Sequence, residues 1–291
     1  MIATTGPTRK PSVRPPGGRS TTGLTAAVAY YLGTGRPEAG MAEADVSDRA
    51  VRGLSGLANQ ANPAFAGGVV AIPVLALLAT LVTNDVRHLT YVHVMAGVFW
   101  TGIDLFVGAI VGPVVGSMDP EGRAEFFRTF TPKMTFLMPV LSAVTIVGGI
   151  VLAQRLGHFP NADPWLAIMT AATLIPVVVL VGHQFDALTD PRTLAALGVV
   201  LVASGAGLFL TLPSLTMADP WILAALGLVP LLSIVGFGVI LPGEIRIYRQ
   251  VTSPDPDVDL VGEIGMRNAK LGGVQGVMQL TIVFVMVNIR F

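Results

Sequence analysis

From residue 63 onward the chain carries seven long apolar stretches, at about 64–82, 89–116, 134–155, 165–185, 194–215, 220–243 and 268–289. Crossing the roughly 30 Å of hydrocarbon in a bilayer takes about 20 such residues. In hydrocarbon every backbone N–H and C=O must find its partner inside the protein, which leaves helices or closed barrels. Runs this long and continuous read as helices. The expected fold is therefore an all-α, polytopic integral membrane bundle of about seven transmembrane helices. Composition agrees: 52% of residues are hydrophobic and only 12% charged, against about 25% charged in an ordinary soluble domain. Formal net charge is zero and no basic stripe is present, so the lipid bilayer is the expected partner and nucleic acid is not. The chain has no cysteine, which removes disulfides, iron–sulfur clusters and thiolate metal sites.

Residues 1–62 read as a disordered or weakly structured N-terminal tail, and 63–291 as the transmembrane domain. The tail holds PTRKPSVRPPGGRSTTG, a composition that cannot bury enough apolar surface to order itself. Its one apolar patch, Leu24–Leu32, is too short to span, and Met41 offers a second possible start. In the domain, Asp163-Pro164, Asp190-Pro191 and Asp219-Pro220 place an acidic cap ahead of proline at the first helical position. Two connecting segments look like interfacial helices. One opens at Asp119-Pro120, with Phe126, Phe127 and Phe130 toward headgroups and Arg123 and Arg128 toward water. The other holds Asp259, Glu263 and Arg267.

Orientation follows from the basic residues. With a cytoplasmic N-terminus, the inner loops hold Arg123, Arg128, Lys133, Arg192, Arg246, Arg249, Arg267 and Lys270, joined by Arg49 and Arg52 of the tail. The outer segments hold only Arg87, Arg155 and Arg290. The positive-inside rule then places the chain in the cell membrane with its N-terminus inside and its C-terminus outside.

Only the second stretch carries an acidic residue, Asp104. A charge at the centre of a bilayer helix costs at least about 2.5–3.5 kcal/mol, so such a residue marks a functional site or a hydrogen bond between helices. At 100° per residue, His93, Gly97, Trp100, Asp104 and Gly108 fall within roughly 80° on one helix face. That face should turn toward protein or a wet cavity. Its glycines would admit a neighbouring helix or a planar cofactor. Asp104 is the candidate catalytic or titrating residue. His93 is the candidate metal ligand, with Gly97 and Trp100 as cofactor-binding neighbours. Eleven residues of helix, about 16 Å of rise, separate His93 from Asp104, so the two suit a relay and cannot share one metal ion.

The remaining polar residues carry weaker signals. His88 and His158 fall in loops on the His93 side, and His183 at the opposite end of the fourth span. Gln275 and Gln279 are spaced to make interhelical hydrogen bonds, while Glu244 and Arg246 close the sixth span among headgroups. Met134 and Met138 read as packing, with Cu(I) binding as the alternative. No nucleotide loop, zinc helix or hydrolase elbow is present.

The stretch YVHVMAGVFWTGIDLFVGAIVGPVV resembles a helix of copper-resistance protein D-like membrane proteins and related polytopic families, through His93, Gly97, Trp100 and Gly102. A membrane-helical type of protoporphyrinogen oxidase has a similar helix. The resemblance covers about thirty residues. It implies a small bundle that binds haem b, or failing that copper, at the His93 end. Asp104 departs from the pattern, which has an apolar residue there. Three functions follow as expectations. The first is a haem-binding redox or electron-transfer protein using His93. The second is a transporter of protons, copper or a small solute using Asp104. The third is a structural subunit of a membrane complex, with other membrane subunits or further copies of itself as partners.

Overall fold

The structure, a computed structural model, describes residues 53–290. Most of the tail, with Arg49, Arg52, Leu24–Leu32 and Met41, lies outside the described residues. Of the residues read as tail, Leu54–Ala61 form a short helix, α1, with Leu57 and Ala61 buried.

Seven helices follow that are long and apolar enough to span a membrane: α2 Pro63–Thr83, α3 Val86–Gly116, α4 Pro120–Arg155, α5 Ala162–Gln184, α6 Pro191–Ser214, α7 Pro220–Val251 and α8 Val258–Ile289. No strand occurs among the described residues. The fold is the all-α polytopic bundle that the apolar runs predict.

Start signals explain most of the boundaries. Asn62, Asp85, Asp119, Asp190 and Asp219 each accept a backbone N–H of the following turn. Such caps satisfy amides that a helix leaves orphaned at its N-terminus. Asp163 differs from expectation. Helix α5 begins at Ala162, so Asp163 sits inside the first turn and no side chain caps the helix.

The two expected interfacial helices do not stand alone. The segment opening at Asp119 is continuous with the third span as one 36-residue helix. Val258 likewise opens a 32-residue helix through the last span. At 1.5 Å per residue both are far longer than the hydrocarbon is thick. Their extra turns pack on one another. Phe127 is buried with Val115, Ile247, Val261 and Ile264, and its ring presses on Gly265, where any side chain would overlap it.

Two arginines of α4 close the C-termini of its neighbours. Arg155 donates to the carbonyls of Thr80 (3.1 Å) and Leu81 (3.0 Å) at the end of α2. Arg123 donates to Gly116 (3.2 Å) and Met118 (3.1 Å) at and just past the end of α3. Cations belong at helix C-termini, where carbonyls lack partners.

Helices α3, α4, α7 and α8 form the centre. Helix α6 packs on α5 and buries none of its residues. Its exposed Val199, Val202, Phe209 and Leu210 make sense only in an apolar solvent, because a soluble protein rarely exposes such a face.

Candidate functional site

Asp104 is buried, with 4% of its surface accessible. It faces α8 because that helix has glycine where the two cross. A Cβ on Gly108 would overlap the Gly273 backbone, and one on Gly276 would come within 2.8 Å of the Leu105 side chain. Small residues let helix axes approach in this way. The small residues of the His93–Gly108 face thus serve helix contact. Close approach brings Gln279 of α8 to Asp104, and its Nε2 donates to Oδ2 at 2.8 Å. Trp100, also buried, lies within hydrogen-bonding reach of the same carboxyl. On the other flank Asp104 Oδ1 lies 3.4 Å from where a Gly272 Cβ would stand.

Asp104 also lines a cavity of about 80 Å³ whose walls come from α3, α4, α7 and α8. That volume holds several waters. Most of the wall is apolar, including Met134 and Met138, and the polar exceptions are few: Asp104, Thr135, Ser142, Ser233, Glu244, Asn268 and Gln275. Two short segments of wall, Val107–Val111 in α3 and Gly236–Ile240 in α7, are wound with i→i+5 hydrogen bonds. Such π-type turns recur at functional sites. Side-chain amides bond the carbonyls of the second. Gln184 donates to Gly238 at 2.7 Å and Asn268 to Ile240 at 3.1 Å.

Glu244 is the residue the sequence reading misplaced. It does not meet headgroups: it is buried, at 8% exposure, and its Oε1 accepts from Asn268 Nδ2 at 2.8 Å. Helix α7 runs on to Val251, so Glu244 lies inside the bundle and not at the end of the span. The available signal was Asn268, a polar residue eleven positions before Gln279 on the same helix. Gln275 and Gln279 make interhelical bonds, as their spacing predicts, with Gln275 Nε2 donating to Leu232 O at 2.7 Å.

His93 is held apart from this site. Its Nδ1 lies 2.8 Å from the Thr145 carbonyl of α4. A carbonyl only accepts, so Nδ1 carries the proton and Nε2 is the atom left for a ligand. The ring rests on Gly149, where a Cβ would meet Cε1 at 2.8 Å, and Gly97 packs on Thr145. Between His93 and Asp104, the buried Ala96 and Trp100 join Leu77, Leu89, Leu141, Val144 and Leu232 in one apolar cluster. The face predicted on α3 therefore divides into two places. Trp100 goes with Asp104, and Gly97 goes with His93.

A haem or copper at His93 would take Nε2 as its ligand, oriented by the bond from Nδ1. His88 is engaged with Asp85 at 2.9 Å, His158 sits in the α4–α5 turn, and His183 lies at the far end of α5. Among the described residues no three His, Asp or Glu side chains gather as a metal site.

No protein-family model, curated protein or solved structure matches the chain. The functional reading therefore rests on the site's own chemistry.

Proposed function

We propose that this protein moves protons or a small cation across the membrane through the central cavity, with Asp104 as the titrating residue. The observation that supports it is a buried carboxyl opening onto a space large enough for water, inside a bundle of seven spanning helices. A carboxyl that only joined helices would need its Gln279 partner and no cavity. Ionisable residues that face a cavity inside a membrane bundle commonly line ion or proton pathways. The chain sits in the cell membrane with its N-terminus inside, so the Glu244 end of the cavity faces the cytoplasm.

The test uses the full chain in liposomes carrying a pH-sensitive dye, under an imposed potential. Wild-type protein should move protons or the chosen cation, and Asp104→Asn should abolish the flux. Equal flux in the variant, or none in the wild type, overturns the reading.

A second reading, haem-linked redox chemistry, is favoured by one observation: the Nδ1 bond that orients the His93 ring and leaves Nε2 for a ligand. Protein expressed with ample haem should then show a Soret band that His93→Ala removes. Colourless wild-type protein ends it.

A further inference from the structure

The two buried carboxyls are partnered alike. Asp104 of α3 takes an amide N–H from Gln279, and Glu244 of α7 takes one from Asn268; both amides belong to α8. In each pair the amide oxygen is left over. Gln279 Oε1 and Asn268 Oδ1 are buried with no hydrogen-bond partner, and so is Glu244 Oε2. Leaving such an atom unmade costs about 1–3 kcal/mol, so three together call for an explanation.

All three are acceptors. What they lack is hydrogen. A side-chain amide can turn over, so a carboxylate takes the N–H and a protonated carboxyl gives its O–H to the amide oxygen. Each pair thus keeps a hydrogen bond in either protonation state, although turning the Asn268 amide gives up its bond to Ile240 O.

Both carboxyls line the same cavity. Asp104 Oδ1 lies against Gly272, one turn of α8 from Asn268 and so about 6 Å of rise. One or two waters at ordinary O–H···O spacing span such a rise, and the cavity that both carboxyls line has the volume for them. Thr131 is buried beside Glu244. A cation stands at this end as well: Arg267 Nη2 lies 3.0 Å from where a Gly243 Cβ would sit. Its Nε and Nη2 are buried without partners. Arg246 of α7 is near enough to repel Arg267.

We infer that Glu244 is a second proton-carrying site, exchanging a proton with Asp104 through water held in the cavity that both carboxyls line. In the step, protonated Asp104 breaks its O–H bond and gives the proton to the adjacent water. That water passes one of its own protons along the chain, and the last water forms a new O–H bond on the Glu244 carboxylate. One carboxylate is created and one neutralised. The inference rests on the transport reading and narrows its substrate to the proton. A hard metal cation takes six or more oxygen ligands at one point, and this cavity strings its oxygens out along α8.

The test is proton flux into dye-loaded liposomes with the full chain. Glu244→Gln should lower flux at least tenfold, Glu244→Asp should retain most of it, and replacing sodium and potassium by choline should change nothing. Folded Glu244→Gln protein with wild-type flux, while Asp104→Asn is inactive, overturns the relay and leaves the transport reading standing. Flux that requires sodium or potassium overturns the proton assignment, and wild-type protein without flux removes both readings. If Glu244→Gln fails to assemble, infrared spectra of wild type and Asp104→Asn decide the matter. The Glu244 carboxyl band should shift when Asp104 is replaced, and an unmoved band overturns the link.

Discussion

Gln279 and Asp104, 175 positions apart in the chain, meet through a hydrogen bond of 2.8 Å in the middle of the bundle. The bond exists because α3 and α8 touch at glycines. Its energetic consequence is asymmetric. Removing the amide alone strands a buried carboxyl, so Gln279→Leu should destabilise by about 1–3 kcal/mol. The same change made with Asp104→Leu should cost much less than the sum of the two single changes. A double-mutant cycle on detergent unfolding measures this, and simple additivity would count against it.

The contact of Gly108 with Gly273 leaves no space for a side chain on either helix. Gly108→Val should force α3 from α8 and cost about 1–3 kcal/mol or more. A lower melting temperature in micelles would show it. Gly102 has open space where a methyl group would go, with nothing within 4 Å, and should accept alanine with little change.

Arg155 holds the last carbonyls of α2. Arg155→Ala removes both bonds, each worth about 0.5–1.5 kcal/mol. Hydrogen exchange should rise in the final turn of α2 while α8 stays protected. Uniform exchange across both helices would contradict this local role.

Asp85 caps α3 from outside the span, accepting from the amides of Arg87 at 2.8 Å and His88 at 3.1 Å. The bond from the His88 amide, foremost, holds its carboxyl below the usual aspartate range. A carboxyl lowered on folding stabilises the native state above its unfolded pKa, and that contribution fades as pH falls through the folded value. Acidification below about pH 4, the ordinary aspartate range, should therefore loosen the first turn of α3. Backbone exchange at Arg87–Thr90 followed against pH measures it, and Asp85→Asn should flatten the dependence.

A chain without cysteine suits topology mapping by single-cysteine labelling. Ser253→Cys, between α7 and α8, should react only from the cytoplasmic side, and Ser214→Cys, at the end of α6, only from outside. The reverse pattern would invert the bundle.

How much of this could be read from the chain depends on how local the cause is. Seven apolar runs determine seven helices, because a backbone in hydrocarbon must satisfy its own hydrogen bonds wherever the helix later packs. Aspartates at 119, 190 and 219 similarly announce helix starts, since a cap acts within three residues of itself, whereas Asp163 in the same Asp-Pro pattern caps nothing. Asp104 stood out for the same reason: its cost is set by depth alone. The rest was decided by tertiary structure. Nothing local says that Phe127 seats on Gly265, that Glu244 is buried against Asn268, or that an apolar cluster around Trp100 parts His93 from Asp104. Those facts depend on which helices touch and in what register, and a burial energy summed over several helices has no signature in any one of them.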